Sequence, residues 1–292
     1  MSTTSRKAIN LSLRLAEFLR EGKLLLVFDL GLTMLNYNRQ NRIDLLNSAP
    51  SSQNPLETMR NANAINLSLD DAIYRIFTLD RFLEMIKEGK NTLVRPSMWE
   101  DPFENILFSH QYLDSTGNPI DMSSIRDSWY GQCWTAKEDE CDGLWRVYSE
   151  NGTKRCVRVK TTVRKIFEPL YDGLQEHEWQ CFIGKVDYSS EGDIIAVLES
   201  FAQAIATDPQ NVNQMQLLLT KRTEFKYEDE VRILYCRGVA PNNYDTTYQY
   251  DVDFNSAFDE VMLDPWCPDR MVKNFADNIY LAGYHGEVTK SQ

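Results

Sequence analysis

Phe225-Lys226-Tyr227-Glu228-Asp229-Glu230-Val231-Arg232-Ile233-Leu234-Tyr235 places two carboxylates one residue apart inside a run rich in β-branched and aromatic residues. Its composition predicts a strand over residues 224–235. In a strand, residues i and i+2 share a face, so Glu228 and Glu230 project together and Arg232 continues the same row. Like charges side by side on a half-buried sheet are unfavourable unless a ligand or a cation uses them. Arg232 is the cation nearest at hand. The stretch therefore predicts a β element and a concentration of chemistry on it.

The rest of the chain is ordinary for a soluble globular protein: 292 residues, 42% hydrophobic, 25% charged and 11% aromatic. A net charge of −12 repels nucleic acid at long range, although a local basic groove is compatible with it. Six cysteines are scattered without a C-x-x-C pair, which predicts reduced thiols in a cytoplasmic protein rather than a disulfide frame or a zinc site. The three histidines, His110, His177 and His285, lack metal-ligand spacing, so no metal is expected. The apolar run 24–35 contains Asp29 and is too short to span a bilayer, and no secretory signal precedes it. No phosphate-binding glycine loop and no nucleophile elbow is present.

Residues 6–47 read as helical, with Gly22 and Gly31 as breaks. The polar, two-proline stretch Asn47-Ser48-Ala49-Pro50-Ser51-Ser52-Gln53-Asn54-Pro55 is a linker signal. The expected organisation is a helical N-terminal extension and linker over 1–70, followed by an α+β domain over 71–292 that carries the chemistry. In the second part, 73–78, 92–95, 130–135, 154–162 and 258–263 read as strands. A helix over 79–89 is expected to be capped by Asp80 and stopped by Gly89, and further helical segments fall at 142–148, 193–205 and 211–220. Strands and helices do not alternate as βαβ, which favours α+β over a doubly wound sheet.

Four segments mix aromatic and charged residues where scaffolds present sites. They are Tyr74-Arg75; Met98-Trp99-Glu100-Asp101-Pro102-Phe103-Glu104; Cys133-Trp134-Thr135 with Leu144-Trp145-Arg146-Val147-Tyr148; and Tyr227-Glu228-Asp229-Glu230-Val231-Arg232. In this order they resemble a prokaryotic family known as domain of unknown function 2971, over roughly residues 73–270. The second segment carries Trp99-Glu100 where that family has Phe-Asn, and the helical turn carries Leu144 where it has Met. Three of the elements also resemble the Arg–Ser–Glu class of ADP-ribosyltransferases, with Arg75, Thr135 and Glu228-Asp229-Glu230 in the three slots. Thr135 is followed by Ala136 rather than by a serine.

That second resemblance implies an ADP-ribosyltransferase-like mixed β core and NAD as substrate, with no metal. It implies that Arg75 grips NAD through its planar fork and that Thr135 braces the site. Glu230 is then the catalytic carboxylate beneath a developing oxocarbenium, and Glu228 activates the acceptor. Trp99, Trp145 and Tyr148 would stack on nicotinamide or adenine, with Tyr74 and Arg232 completing the set. The acceptor would be macromolecular, a protein more naturally than RNA or DNA given the acidic chain. The biological setting would be a bacterial toxin or phage-defence effector, with an antitoxin or chaperone on the N-terminal helices. Hydrolysis of free NAD would use the same machinery. Read singly, the residues have other uses: Glu-x-Glu on a solvated face, and Trp145 with Tyr148 packing on a core. A non-enzymatic protein- or nucleotide-binding module and a metal-dependent nucleic-acid hydrolase are the rival functions.

Overall fold

A computed structural model describes residues 55–99, 112–113, 116–120, 127–174, 180–206, 211–237 and 245–291. The helical leader, most of the linker and the loop segment 100–104 lie outside the described residues. In chain order the elements are α1 (Pro55–Ala62), β1 (Ala64–Ile65), β2 (Ala72–Thr78), α2 (Leu79–Glu88), β3 (Lys90–Val94), β4 (Tyr112–Leu113), β5 (Pro119–Ile120), β6 (Trp129–Thr135), α3 (Asp142–Tyr148), β7 (Cys156–Thr162), α4 (Val163–Gly173) and β8 (Cys181–Lys185). There follow β9 (Asp187–Ser189), α5 (Glu191–Ala206), α6 (Val212–Leu218), β10 (Thr220–Arg222), β11 (Glu230–Cys236), β12 (Thr247–Asp251), α7 (Phe254–Ala257), β13 (Glu260–Leu263), α8 (Asp269–Leu281) and β14 (Val288–Lys290). Short 3₁₀ turns occupy Pro96–Met98 and Thr223–Glu228.

The main sheet is mixed, with the order β1-β8-β11-β6-β2-β7-β13-β14, and with β3 joined to β6 and β12 to β3. Its pairs are antiparallel except β1 with β8 and β13 with β14. Strands and helices are both present, as the element order predicts, and the sheet is mixed, as the transferase resemblance implies. Residues 64–65 join it through β8, and Arg60 of α1 reaches Glu168 and Asp172 of α4.

Every position of β11 is buried, as expected of a strand covered on both faces. Val231, Ile233 and Tyr235 face one apolar cluster, with Tyr130, Trp134 and α4. Leu234 and Cys236 face a second, with Trp129, Met215 and Leu218. By the two-residue period, Glu230 and Arg232 fall on the side of Leu234, so two charges are carried into an apolar environment.

Strand β6 pairs with β11 along its whole length, but its other edge is shared. β2 meets it only at Tyr74–Thr135, and β3 only at Val94–Gly131. Between these two contacts the sheet is notched. On the first cluster's side the polar groups of the notch are closed by a network. Gln132 exchanges hydrogen bonds with Asn91 and accepts one from Trp134 Nε1, while Asn91 also donates to the Tyr250 hydroxyl. That hydroxyl in turn donates to the Ile166 carbonyl, so Gln132, Asn91 and Tyr250 each have a partner.

Gly131 makes a close approach possible on the other side. A Cβ there would lie 2.8 Å from Trp99 Cζ2 and 3.0 Å from Leu234 Cδ2. Gly131→Ala is expected to destabilise the fold by about 1–3 kcal/mol through overpacking, and to move the Trp99 ring. Denaturant midpoints and tryptophan fluorescence check this; unchanged values of both would show that the ring has room to give.

Two sequence expectations are corrected. The segment 224–229 is not strand: Thr223–Glu228 form a 3₁₀ turn, and Asp229 is left-handed at φ 41°, so β11 begins at Glu230. Three consecutive acids are poor strand formers, and Asp tolerates the left-handed region better than most residues. Helix α2 begins at Leu79 with Thr78 at its N-cap position. Asp80 therefore sits inside the first turn, where its charge complements the helix dipole. Gly89 does end that helix, at φ 66°.

Candidate active site

The acidic pair is built from three elements. Glu230 opens β11, Glu228 ends the 3₁₀ turn, and Lys221 lies on β10 between them. Arg232 clamps Glu230 in the bidentate manner of guanidinium and carboxylate, Nε to Oε1 at 2.8 Å and Nη2 to Oε2 at 3.0 Å. Its remaining arm donates to the Leu218 carbonyl at 2.6 Å, and its guanidinium lies 4.4 Å over the Trp99 ring. Lys221 Nζ donates to Glu230 Oε2 at 3.0 Å and to Glu228 Oε2 at 2.7 Å.

The two carboxylates differ in exposure. The Glu230 side chain is 4% exposed and that of Glu228 22%. Burial alone would raise the pKa of Glu230, but the charge and hydrogen bonds of Arg232, then Lys221 and the Cys133 thiol, hold it down to about 2. Burial raises the pKa of Glu228 above its ordinary value; Lys221 opposes this and the charge of Glu230 adds to it. Both oxygens of Glu230 are committed inside the protein, so the sequence-based role of Glu230 as the carboxylate facing substrate does not match its burial. Glu228 is the carboxylate nearer the surface.

The backbone around them is fixed from two sides. Thr135, directly opposite Glu230 in the register, donates its hydroxyl to the Glu228 carbonyl at 2.5 Å and accepts from the Lys137 N–H at 3.0 Å. The Tyr188 hydroxyl accepts the Glu230 N–H at 2.8 Å. Burial pushes that phenol up to about 12.

Arg75 on β2 donates Nη1 across the notch to the Cys133 carbonyl, a group that no strand reaches there. Its guanidinium lies 5.0 Å over Phe77, and its Nε is buried without a hydrogen-bond partner among the described residues. Tyr148, at the end of α3, is 39% exposed overall, and its phenol lies within the fields of Arg75, Cys133, Glu230 and Glu228. Burial pushes it up to about 12 against the opposing field of Arg75, and Cys133, Glu230 and Glu228 also act on it. The structure thus brings together Thr135, Glu228, Glu230 and Arg232, with Trp99 over the Arg232 guanidinium, Arg75 on the neighbouring Cys133 carbonyl and Tyr148 within the fields of Arg75 and the two glutamates.

Two expected residues have their rings buried, Tyr74 although it pairs with Thr135. Tyr74 pleats away from Arg75, and its ring lies 4.0 Å from the Arg158 guanidinium and 5.9 Å from Lys160 Nζ. Trp145 is 2% exposed, packs with Ile76, Cys156 and Trp266, and donates Nε1 to Glu140 at 2.9 Å. Neither ring is offered to a ligand at the notch. Sequence reading missed Lys221 and Tyr188, both on short strands paired only with each other.

The arrangement offers an arginine whose Nε donor is unused among the described residues and a carboxylate that is partly exposed. Among the described residues no group of three or more His, Cys, Asp or Glu gathers as a metal site. None of the six cysteines forms a disulfide, and no described helix is long and apolar enough to cross a membrane.

No curated protein matches the chain. Among solved structures, it is similar to Thermus sp. 2.9 DarT in complex with NAD+, at 10% identity and a TM-score of 0.33, over 77% of this chain and 98% of that one. From α3 to the middle of β11, residues 144–233 match the family described as protein of unknown function, DUF2971.

Proposed function

We propose that the protein is an ADP-ribosyltransferase with NAD as its substrate and a macromolecule as acceptor. The observation that carries this reading is the register across three neighbouring strands. Tyr74 pairs with Thr135 and Thr135 with Glu230, which makes the strands that carry Arg75, Thr135 and Glu230 neighbours; Arg75, pleated to the opposite face from Tyr74, reaches the notch edge through its bond to the Cys133 carbonyl. Arg75 Nε, buried and without a hydrogen-bond partner among the described residues, suits a phosphate oxygen of NAD.

Glu228 takes the role of the carboxylate that faces the ribose, and Glu230 anchors it from below. As the bond between C1′ and the nicotinamide nitrogen breaks, nicotinamide leaves neutral with the bonding electrons. The positive charge on the ribose is stabilised by Glu228. An acceptor nucleophile then bonds to C1′ and gives up its proton to Glu228. Tyr148 stays protonated at neutral pH and serves as a hydrogen-bond donor. The −12 charge of the chain favours a protein acceptor over a polyanion. A toxin or defence role in the cytoplasm, with an antitoxin or chaperone on the leader, belongs to the same proposal.

Incubating the full chain with labelled NAD and a bacterial lysate tests it. Nicotinamide release and label on a macromolecule are expected. Neither signal from protein shown to be folded would remove the reading. Arg75→Lys replaces a fork by a point charge and is expected to raise KM for NAD about tenfold or more, with a smaller change in kcat.

A further inference from the structure

We infer that Lys221 is a positioning residue of this site, which fixes the Glu228 carboxylate in the orientation it presents to substrate. The inference rests on the transferase reading above and assigns a role to a residue outside the motifs that suggested it.

Arg232, Glu230, Lys221 and Glu228 form a row of alternating charge, each joined to the next at 3.0 Å or less. The row runs from a fully buried guanidinium to a carboxylate near the surface. Only the last member is positioned to meet a ligand. Lys221 is not needed to neutralise Glu230, because Arg232 already engages both of its oxygens. Glu228 is only partly exposed, and its bond to Lys221 holds a carboxylate that water alone would leave free to turn.

Burying an ammonium still has a desolvation cost, and the Lys221 side chain is only 9% exposed. Its Nζ also lies 4.7 Å from the Phe225 ring centroid, which closes a third direction. What the arrangement achieves is geometric. Thr135 and the left-handed Asp229 fix the main chain at Glu228. Lys221 fixes the other end of the side chain. A carboxylate held at both ends needs no reorganisation when charge develops on the ribose.

Several charged or titratable groups act around Glu228. They are Lys221 from β10, Glu230 and Arg232 from β11, Tyr227 from its own turn, Tyr148 from α3 and Tyr188 from β9. Of these, Lys221 supplies the hydrogen bond that most favours the ionised form. Removing it leaves burial and the Glu230 charge to favour the protonated form.

The test follows nicotinamide release by the full chain across pH for wild type, Lys221→Met, Lys221→Arg, Glu228→Gln and the Lys221→Met/Glu228→Gln pair. Thermal melts confirm that each is folded. Lys221→Met is expected to lower kcat at neutral pH about 100-fold, the scale of a misplacement of about 1 Å, and to move the acid limb of the profile upward. Lys221→Arg is expected to return most of the rate and the limb. On a Glu228→Gln background Lys221→Met is expected to add little, because it acts through Glu228.

If wild type releases no nicotinamide, the transferase reading falls and this inference with it. If wild type is active and Lys221→Met stays within threefold with an unmoved acid limb, only the inference falls. Effects that multiply with those of Glu228→Gln would mark Lys221 as purely structural and overturn it too. Should Lys221→Met not fold, Lys221→Arg carries the test, and an Arg variant that is folded, slow and shifted in neither limb overturns the inference.

Discussion

Arg232→Met is expected to cost the fold about 3–5 kcal/mol, because it leaves the buried Glu230 carboxylate with half its compensation. The guanidinium makes two bonds to Glu230, one to the Leu218 carbonyl and a face contact with Trp99, and a single substitution removes them all. Methionine keeps part of the packing volume but none of the donors. The Leu218 carbonyl loses its Arg232 donor and Trp99 its cation. A Tm lower by roughly 5–15 °C is the corresponding shift for a chain of this size.

The sign of the effect of acid follows from Glu230. Its pKa in the folded protein, about 2, lies below its ordinary 4.5. The stabilisation is therefore complete above pH 4.5 and is lost as the pH falls toward 2. Glu228, raised in the folded state, works the other way, and its contribution diminishes as the pH rises through its own range. Wild type should lose stability steeply between pH 4.5 and 2, and Arg232→Met should lose less over that interval because much of the loss is already incurred. A double change, Arg232→Met with Glu230→Leu, is expected to recover part of the stability, since an apolar pair of similar volume does about as well as a buried ion pair. A single-variant loss under about 1 kcal/mol, far below the cost of breaking a buried pair, would show that the pair contributes nothing net.

What could be read from the sequence was whatever depends on neighbours along the chain. The core of β11 was legible because Val231 to Cys236 are apolar or β-forming on both faces, apart from Arg232. The helical turn 142–148 and the strands around Ile73, Trp134 and Val157 stood out for the same local reasons. The start of β11 was not legible, because the aromatics Phe225 and Tyr227 resemble strand residues. Here they cover a 3₁₀ turn, and Phe225 lies against Lys221 and Arg222 instead. Trp145 and Tyr148 share a helix at i and i+3, yet one seals a small core and the other is 39% exposed. Spacing cannot separate the two, and only the Glu140 acceptor for Trp145 Nε1 decides it.

Lys221 and Tyr188 escaped for a different reason. A lysine in Thr220-Lys221-Arg222 looks like any solvated base. Its meaning comes from the β9–β10 pair carrying it under a turn whose last residue, Glu228, lies 7 residues further on. Likewise nothing in Trp129-Tyr130-Gly131 says that its glycine makes room for Trp99, because that contact spans the notch.

The second large effect expected is a split between the two glutamates. Glu228→Gln should lower kcat for nicotinamide release about 10²- to 10³-fold, the cost of removing one group aimed at developing charge. Its Tm should stay near that of wild type, because Glu228 is partly solvated and Lys221 keeps Glu230 as a partner. Glu230→Gln should behave in the opposite way. It leaves Arg232 and Lys221 facing an amide inside the protein, which is expected to destabilise by about 3–5 kcal/mol. Whatever folded fraction remains should keep a larger share of the activity than Glu228→Gln does. Kinetics and melts on the same preparations separate the two roles, since kcat per folded molecule is independent of how much protein is folded. The motif alone points to the second glutamate as the catalytic one. Its burial under two cations, with both oxygens engaged, argues for the first. If Glu230→Gln is fully folded and inactive while Glu228→Gln retains wild-type turnover, the buried carboxylate must be uncovered when substrate binds. The Arg232 clamp would then have to open in every catalytic cycle.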